Sequence, residues 1–166
     1  MADQGADSLS RQAGFSFSLR NPKGVMEALS IEFAPIIDEG VRQFIISGID
    51  YYSIAATGLP NYLPINFVLR ADRGDVLGGL LGQLWGGWLQ VTHLWITEGA
   101  RGAGYGTRLV NDAESYARSR GAIGATVETH SFQARPFYER LGYEVFARLE
   151  GYPPGHVRFY LRKALA

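Results

Sequence analysis

Between Pro64 and Ile96 the chain carries three short apolar runs divided by turn residues. "PINFVLRA", "VLGGLLGQLW" and "WLQVTHLWI" read as strands. The polar turn "DRGD" separates the first two and "GG" the second two, which predicts a meander of antiparallel strands. Upstream, "ALSIEFAPI" alternates enough to predict a first strand. "DEGVRQFIISGIDYYSIAAT" changes period. Val41, Phe44, Ile45 and Ile49 fall on one face of a helix, and Asp38 stands where an N-cap is needed. Gly48 and Gly58 predict a break in that helix and its end.

After the meander the periodicity turns helical to about Arg120, with Leu109, Ala113, Tyr116 and Ala117 on one face. "GAIGATVETH" predicts a strand, and "SFQARPFYERLG" a short helix with Pro136 in its first turn and Gly142 closing it. "YEVFARLE" and "HVRFYLRK" predict a last pair of strands around the loop "GYPPG". The order specifies a mixed α/β (α+β) fold, a largely antiparallel central sheet with flanking helices. Residues 1–24 are polar and aperiodic, which predicts a disordered or loosely attached arm. Residues 25–166 are expected to form a single domain.

Composition narrows the function. Sixteen basic residues balance sixteen acidic ones, so no basic excess points to nucleic acid or to a membrane surface. There is no cysteine, which excludes disulfides and thiolate chemistry. The three histidines, His93, His130 and His156, lack metal-ligand spacing, so no metal is expected. No apolar run reaches the roughly 18 residues of a membrane span, and no signal-like segment opens the chain. A cytoplasmic protein is expected.

The densest local signal is "TEGARGAGYGTRLV", with four glycines between Gly99 and Gly106 and an arginine at Arg101. A glycine-rich entry to a helix is an anion site, because unpaired amides and the positive end of the helix dipole meet there without side chains in the way. A P-loop needs a lysine that is absent here. A dinucleotide fingerprint needs G-x-G-x-x-G, whereas Gly102, Gly104 and Gly106 are spaced G-x-G-x-G, although Glu128 would suit a ribose.

The pattern Arg101-x-x-Gly104-x-Gly106 resembles the pyrophosphate loop of the GNAT acyltransferases. "SFQARPFYERLGYEVF" is similar to that superfamily's second motif at Ala134, Phe137, Tyr138, Gly142 and Tyr143. The resemblance spans about Val76 to Lys163. It implies a splayed strand pair holding acetyl-CoA or another acyl-CoA as co-substrate. Leu94, Trp95 and Ile96 would pair with the pantetheine arm. Arg101, Gly102, Ala103, Gly104, Tyr105, Gly106 and Thr107 would cradle the pyrophosphate, with Ser131 and Phe137 completing the coenzyme site. Ser131 stands where the family often has asparagine, and it also reads as a helix N-cap.

By the same resemblance Tyr138 is the general acid for the departing thiolate. The family's carboxylate on the strand before the loop falls at Gln90, with Thr92 two residues on, and neither takes a proton at neutral pH. Glu128 is then the first candidate base. His93, which reads first as a hydrogen-bonded core histidine, His130 and a water chain are the others. The expected activity is N-acetylation of a small-molecule primary amine. A protein N-acetyltransferase and a non-catalytic acyl-CoA-binding domain are the alternatives, and a homodimer is compatible with the family. Trp85, Trp88, Trp95, Tyr51, Tyr52 and the "GYPPGH" loop are candidate walls for the acceptor.

Overall fold

Each turn signal in the meander ends a strand where expected. In the computed structural model, which describes residues 17–20, 23–24, 26–60 and 62–165, β3 spans Leu63–Arg70, β4 Val76–Trp85 and β5 Trp88–Ile96. The chain divides into two compact units, Met1–Gly48 and Ile49–Ala166. In the first, β1 (Phe17–Arg20) pairs antiparallel with β2 (Met26–Leu29). The predicted arm over residues 1–24 otherwise falls largely outside the described residues. The strand expected over "ALSIEFAPI" stops at Leu29, and the chain is irregular up to the next helix. Pro35 cannot donate to a ladder, which disfavours extending the strand through this stretch.

Helix α1 covers Glu39–Thr57. Asp38 Oδ1 accepts the amides of Gly40 at 2.8 Å and Val41 at 3.3 Å, so the predicted cap is formed. The expected break at Gly48 does not occur. One glycine costs a helix only about 1 kcal/mol, and the helix ends instead at Gly58, whose φ of 70° is left-handed.

The second unit is built on one six-stranded sheet in the order β3-β4-β5-β6-β8-β7, where β6 is Gly124–His130, β7 Glu144–Glu150 and β8 Val157–Ala164. All neighbours are antiparallel except β5 and β6. A parallel pair needs a crossover, and α2 (Tyr105–Ser119) supplies it. Its buried residues are Leu109, Val110, Ala113, Glu114 and Ala117. Tyr116, expected on that face, lies one turn-edge away. Its ring sits beneath the Arg120 guanidinium at 5.2 Å and its hydroxyl accepts Arg120 Nη2 at 3.1 Å.

Cross-strand register sorts the two faces. Ala125 is opposite Lys163, Val127 opposite Leu161 and Thr129 opposite Phe159. This face carries the helices: Lys163 reaches Glu114 of α2 at 2.6 Å, and Arg135 of α3 (Arg135–Arg140) stacks on Phe159 at 4.6 Å. The intervening pairs, Thr126 with Arg162, Glu128 with Tyr160 and His130 with Arg158, occupy the opposite, polar face.

Two buried phenols mark the helix face. Tyr138 and Tyr143 meet edge to face, centroids 5.7 Å apart. Burial pushes Tyr138 up to about 12 from the usual 10.0. Burial, and next the Glu114 charge, raise Tyr143 further still. Both bind their protons more tightly folded than unfolded, so their stabilisation is complete below about pH 10 and falls as pH rises above it, through about 12 for Tyr138 and beyond that for Tyr143. Thermal melts between pH 8 and 12 are expected to show a steep fall in Tm above pH 10, and Tyr143→Phe to flatten it.

Candidate active site

The site begins with an irregularity in β5. Leu81 pairs with His93 but Gly82 pairs with Val91, so Thr92 is an extra residue with no partner of its own. Its Oγ1 donates to the Leu81 carbonyl at 3.0 Å and holds the bulge. A bulge shifts the alternation by one. Leu89 and Val91 face the core before it, and Leu94 and Ile96 pack against the core after it. His93 is therefore turned out of the core and exposed. The expectation of a core histidine is overturned for this reason, as is the placing of Thr92 in simple alternation with Gln90.

The bulge also coincides with a fork. Pairing of β5 with β6 ends at Val91 and Val127, while β6 stays paired with β8 as far as His130. A cleft of about 920 Å³ opens at this fork. Leu94, Trp95 and Ile96 line it from β5, and Glu128 lines it from β6. The Trp95 carbonyl lies against Gly78 of β4, so strand alternation turns the peptide groups of Leu94 and Ile96 to the cleft. The Ile96 carbonyl is already taken by Arg101 Nε at 2.9 Å.

The glycine loop forms one end of the cleft. Arg101, Gly102, Gly104, Tyr105, Gly106 and Thr107 all line it, and Ala103 does not. Gly104 has φ 84° at the N-cap of α2, a conformation that suits glycine. The first bond of α2 runs from Arg108 N–H to the Gly104 carbonyl at 3.1 Å. The amides of Tyr105, Gly106 and Thr107 thus have no helical acceptor. A Cβ at Gly106 would only touch the Phe137 ring, at 3.4 Å, so Phe137 closes one side of the loop. Arg101 is pinned with its guanidinium 4.5 Å from the Trp95 ring centre. A fixed cation, free amides and a helix N-terminus make a cradle fit for a diphosphate.

Tyr138 and Phe137 enter the cleft from α3, their rings edge to face at 5.0 Å. Tyr138 is 5% exposed. Ser131 is not brought in. It is not the N-cap of α3, which is Ala134. Three residues of turn intervene, and Ser131 Oγ instead stands 3.1 Å from His156 Nδ1 and accepts the Val157 amide at 3.3 Å. Cleft residues that sequence reasoning passed over include Thr129, Phe132 and Gln133.

Two candidate bases line the cleft. The Glu128 carboxylate forms an ion pair with Arg158. His93 Nδ1 lies 3.1 Å from Thr92 Oγ1. That hydroxyl spends its proton on the Leu81 carbonyl, so it accepts here and Nδ1 carries the hydrogen. The lone pair of His93 is then on Nε2. His130, the third candidate, does not line the cleft, and its Nδ1 stands 3.0 Å from Gln133 Oε1. Among the described residues no group of three His, Asp or Glu is placed to hold a metal ion, and no helix is long and apolar enough to cross a membrane.

The chain is similar to known proteins. The family described as acetyltransferase (GNAT) matches residues 42–143. A blasticidin-S acetyltransferase of Streptomyces morookaense is 48% identical over 95 residues, covering 57% of this chain and 70% of that protein. The acetyltransferase Atu2258 of Agrobacterium fabrum is 35% identical over 112 residues, covering 68% and 82%. The crystal structure of an Agrobacterium tumefaciens protein superposes with a TM-score of 0.77 at 30% identity, covering 82% of this chain and 99% of that one.

Proposed function

The chain belongs to the acetyltransferase (GNAT) family and is an acyltransferase, and from that premise we propose that it moves an acetyl group from acetyl-CoA to the primary amine of a small molecule, in the cytoplasm. One observation carries this reading: the Arg101–Thr107 cradle, the forked strands and the buried Tyr138 phenol border a single cleft. The similarity to a blasticidin-S acetyltransferase supports an antibiotic amine as acceptor.

The coenzyme supplies an acyl group on sulfur. Amides of the 102–107 loop and Arg101 hold its diphosphate, and Leu94 offers its peptide group to the arm. The acceptor arrives from the polar face of the sheet. As its nitrogen bonds the acyl carbon, His93 Nε2 takes the amine proton. The carbon–sulfur bond breaks, and Tyr138 gives its phenolic proton to the sulfur. We assign the base to His93 rather than to Glu128, because the Glu128 charge is engaged by Arg158 while the Thr92 bulge leaves His93 Nε2 with its lone pair.

Calorimetric titration tests the donor. Saturable binding of acetyl-CoA at micromolar strength, about −8 kcal/mol, is expected, with no binding of NADH. The reverse result would make the glycines a dinucleotide site. With blasticidin S as acceptor, His93→Ala is expected to lower kcat for thiol release by about 10²-fold or more at saturating acetyl-CoA, and added imidazole to restore part of it. No rescue, together with loss of turnover in Glu128→Gln, would return the base to Glu128.

A further inference from the structure

The "GYPPGH" loop brings an unexpected feature to the polar face. His130 lies between Phe132 and Tyr152, with ring centres 5.2 and 5.9 Å away and planes inclined by 19° and 16°. His156 meets Phe132 edge-on at 4.8 Å. Every member is held by a neighbour. Gln133 Oε1 accepts the His130 amide at 2.8 Å and stands 3.0 Å from His130 Nδ1. Ser131 Oγ accepts the Val157 amide and stands 3.1 Å from His156 Nδ1, which holds that ring as well. At the Tyr152 end, the Arg158 guanidinium lies 5.1 Å from the ring while pairing with Glu128.

These rings are ordered without being buried. Phe132 is 57% exposed and Tyr152 47% exposed. A packed core does not explain an ordered aromatic column left in water, and the Phe132 end of it opens on the cleft. Rings fixed in advance bind a flat partner with little further loss of side-chain freedom. Glu128 lies two residues before His130 on the same strand face, which is about 6.5 Å along a strand. The column is therefore a short arm's length from the fork.

We propose that this column anchors the acceptor, and that the acceptor is a primary amine joined by a short arm to a planar conjugated ring, which stacks on Phe132. The inference rests on the acetyl-transfer reading, since that reaction is what brings an amine to the fork. It assigns Ser131 a different task from the one its motif position suggests: it orders the acceptor wall through His156.

The test compares 2-phenylethylamine with 2-cyclohexylethylamine, alike in arm and charge but flat and puckered respectively, by ligand-detected NMR titration of the coenzyme A-loaded protein. The aromatic amine is expected to bind about threefold to tenfold more tightly, as one stacked ring pair allows. Phe132→Leu keeps an apolar side chain and should bring the two amines level, and Phe132→Trp should keep the preference. The preference is read at saturating coenzyme A, so a change in coenzyme affinity at this cleft residue does not enter it. Equal binding in the native protein, a preference that survives Phe132→Leu, or binding of neither amine would overturn the anchor alone. Failure of coenzyme A itself to bind would remove the acetyl-transfer reading, and the anchor with it.

Discussion

Tyr138→Phe is expected to lower kcat for acetyl transfer by about 10²- to 10³-fold, within the range of a single general acid, while acetyl-CoA affinity stays within about twofold. The substitution removes one oxygen and little else. The ring would keep its edge-to-face contacts with Phe137 and Tyr143 and its place in the core. Desolvation raises the phenol to about 12, so it holds its proton across the whole neutral range and has it to give. The sign of this shift sets a second expectation. Because the folded value lies above the usual one, ionisation of Tyr138 cannot produce a fall in rate between pH 7 and 10. Steady-state thiol release over that range, at a saturating concentration of the acceptor amine, measures both points. An unchanged kcat in Tyr138→Phe would move the acid's role to water or to another side chain. A Tyr138-dependent limb below pH 10 would mean that the phenol is more solvated than its 5% exposure implies.

The sequence disclosed the site where local rules and tertiary structure agree. Strands β4 and β5 begin and end at their predicted residues because glycine turns punctuate them on both sides. The glycine loop is legible because unpaired amides at a helix start impose small residues whatever the rest of the fold does. Around the cleft, what failed was face rather than element. Two polar residues in succession, Thr92 and His93, between Val91 and Leu94 are the trace of a bulge, yet strict alternation hides them. Once Thr92 is the extra residue, His93 is carried from an expected core position to the cleft. Ser131 failed for a related reason. Its residue type suggested a helix cap, but three residues of turn separate it from α3, and its hydroxyl is engaged by a loop 25 residues away. Glu128 lies on the polar face of β6, while its partner Arg158 lies on a strand whose register no single-strand pattern contains. Tyr116 shows the same limit on α2, where a polar Glu114 takes the buried position and the tyrosine does not.

That substitution of a carboxylate for an aromatic in the core makes Glu114→Ala the most destabilising single change expected, at about 3–5 kcal/mol. Glu114 is 1% exposed, and its Oε2 accepts both Lys163 Nζ at 2.6 Å and Arg118 Nη2 at 3.3 Å. Arg118 has a second hold, through Nε to the Leu165 carbonyl at 2.9 Å, and can turn to water. Lys163 has less freedom: its side chain is 20% exposed and its ammonium stands 5.5 Å from the centre of the Tyr143 ring. Removing the carboxylate leaves that ammonium nearly buried with only a ring face to compensate it, and opens a hole beside Ala113 and Ala117. For a chain of this size the loss corresponds to a fall in Tm of roughly 10 °C. The comparison that isolates the charge is Glu114→Leu together with Lys163→Met, which removes both ions and keeps the volume. Replacing a buried ion pair in this way is often neutral, so the double variant should melt well above Glu114→Ala in the same scan. If it melts equally low, the cost is one of packing at the α2–sheet contact rather than of a stranded ammonium.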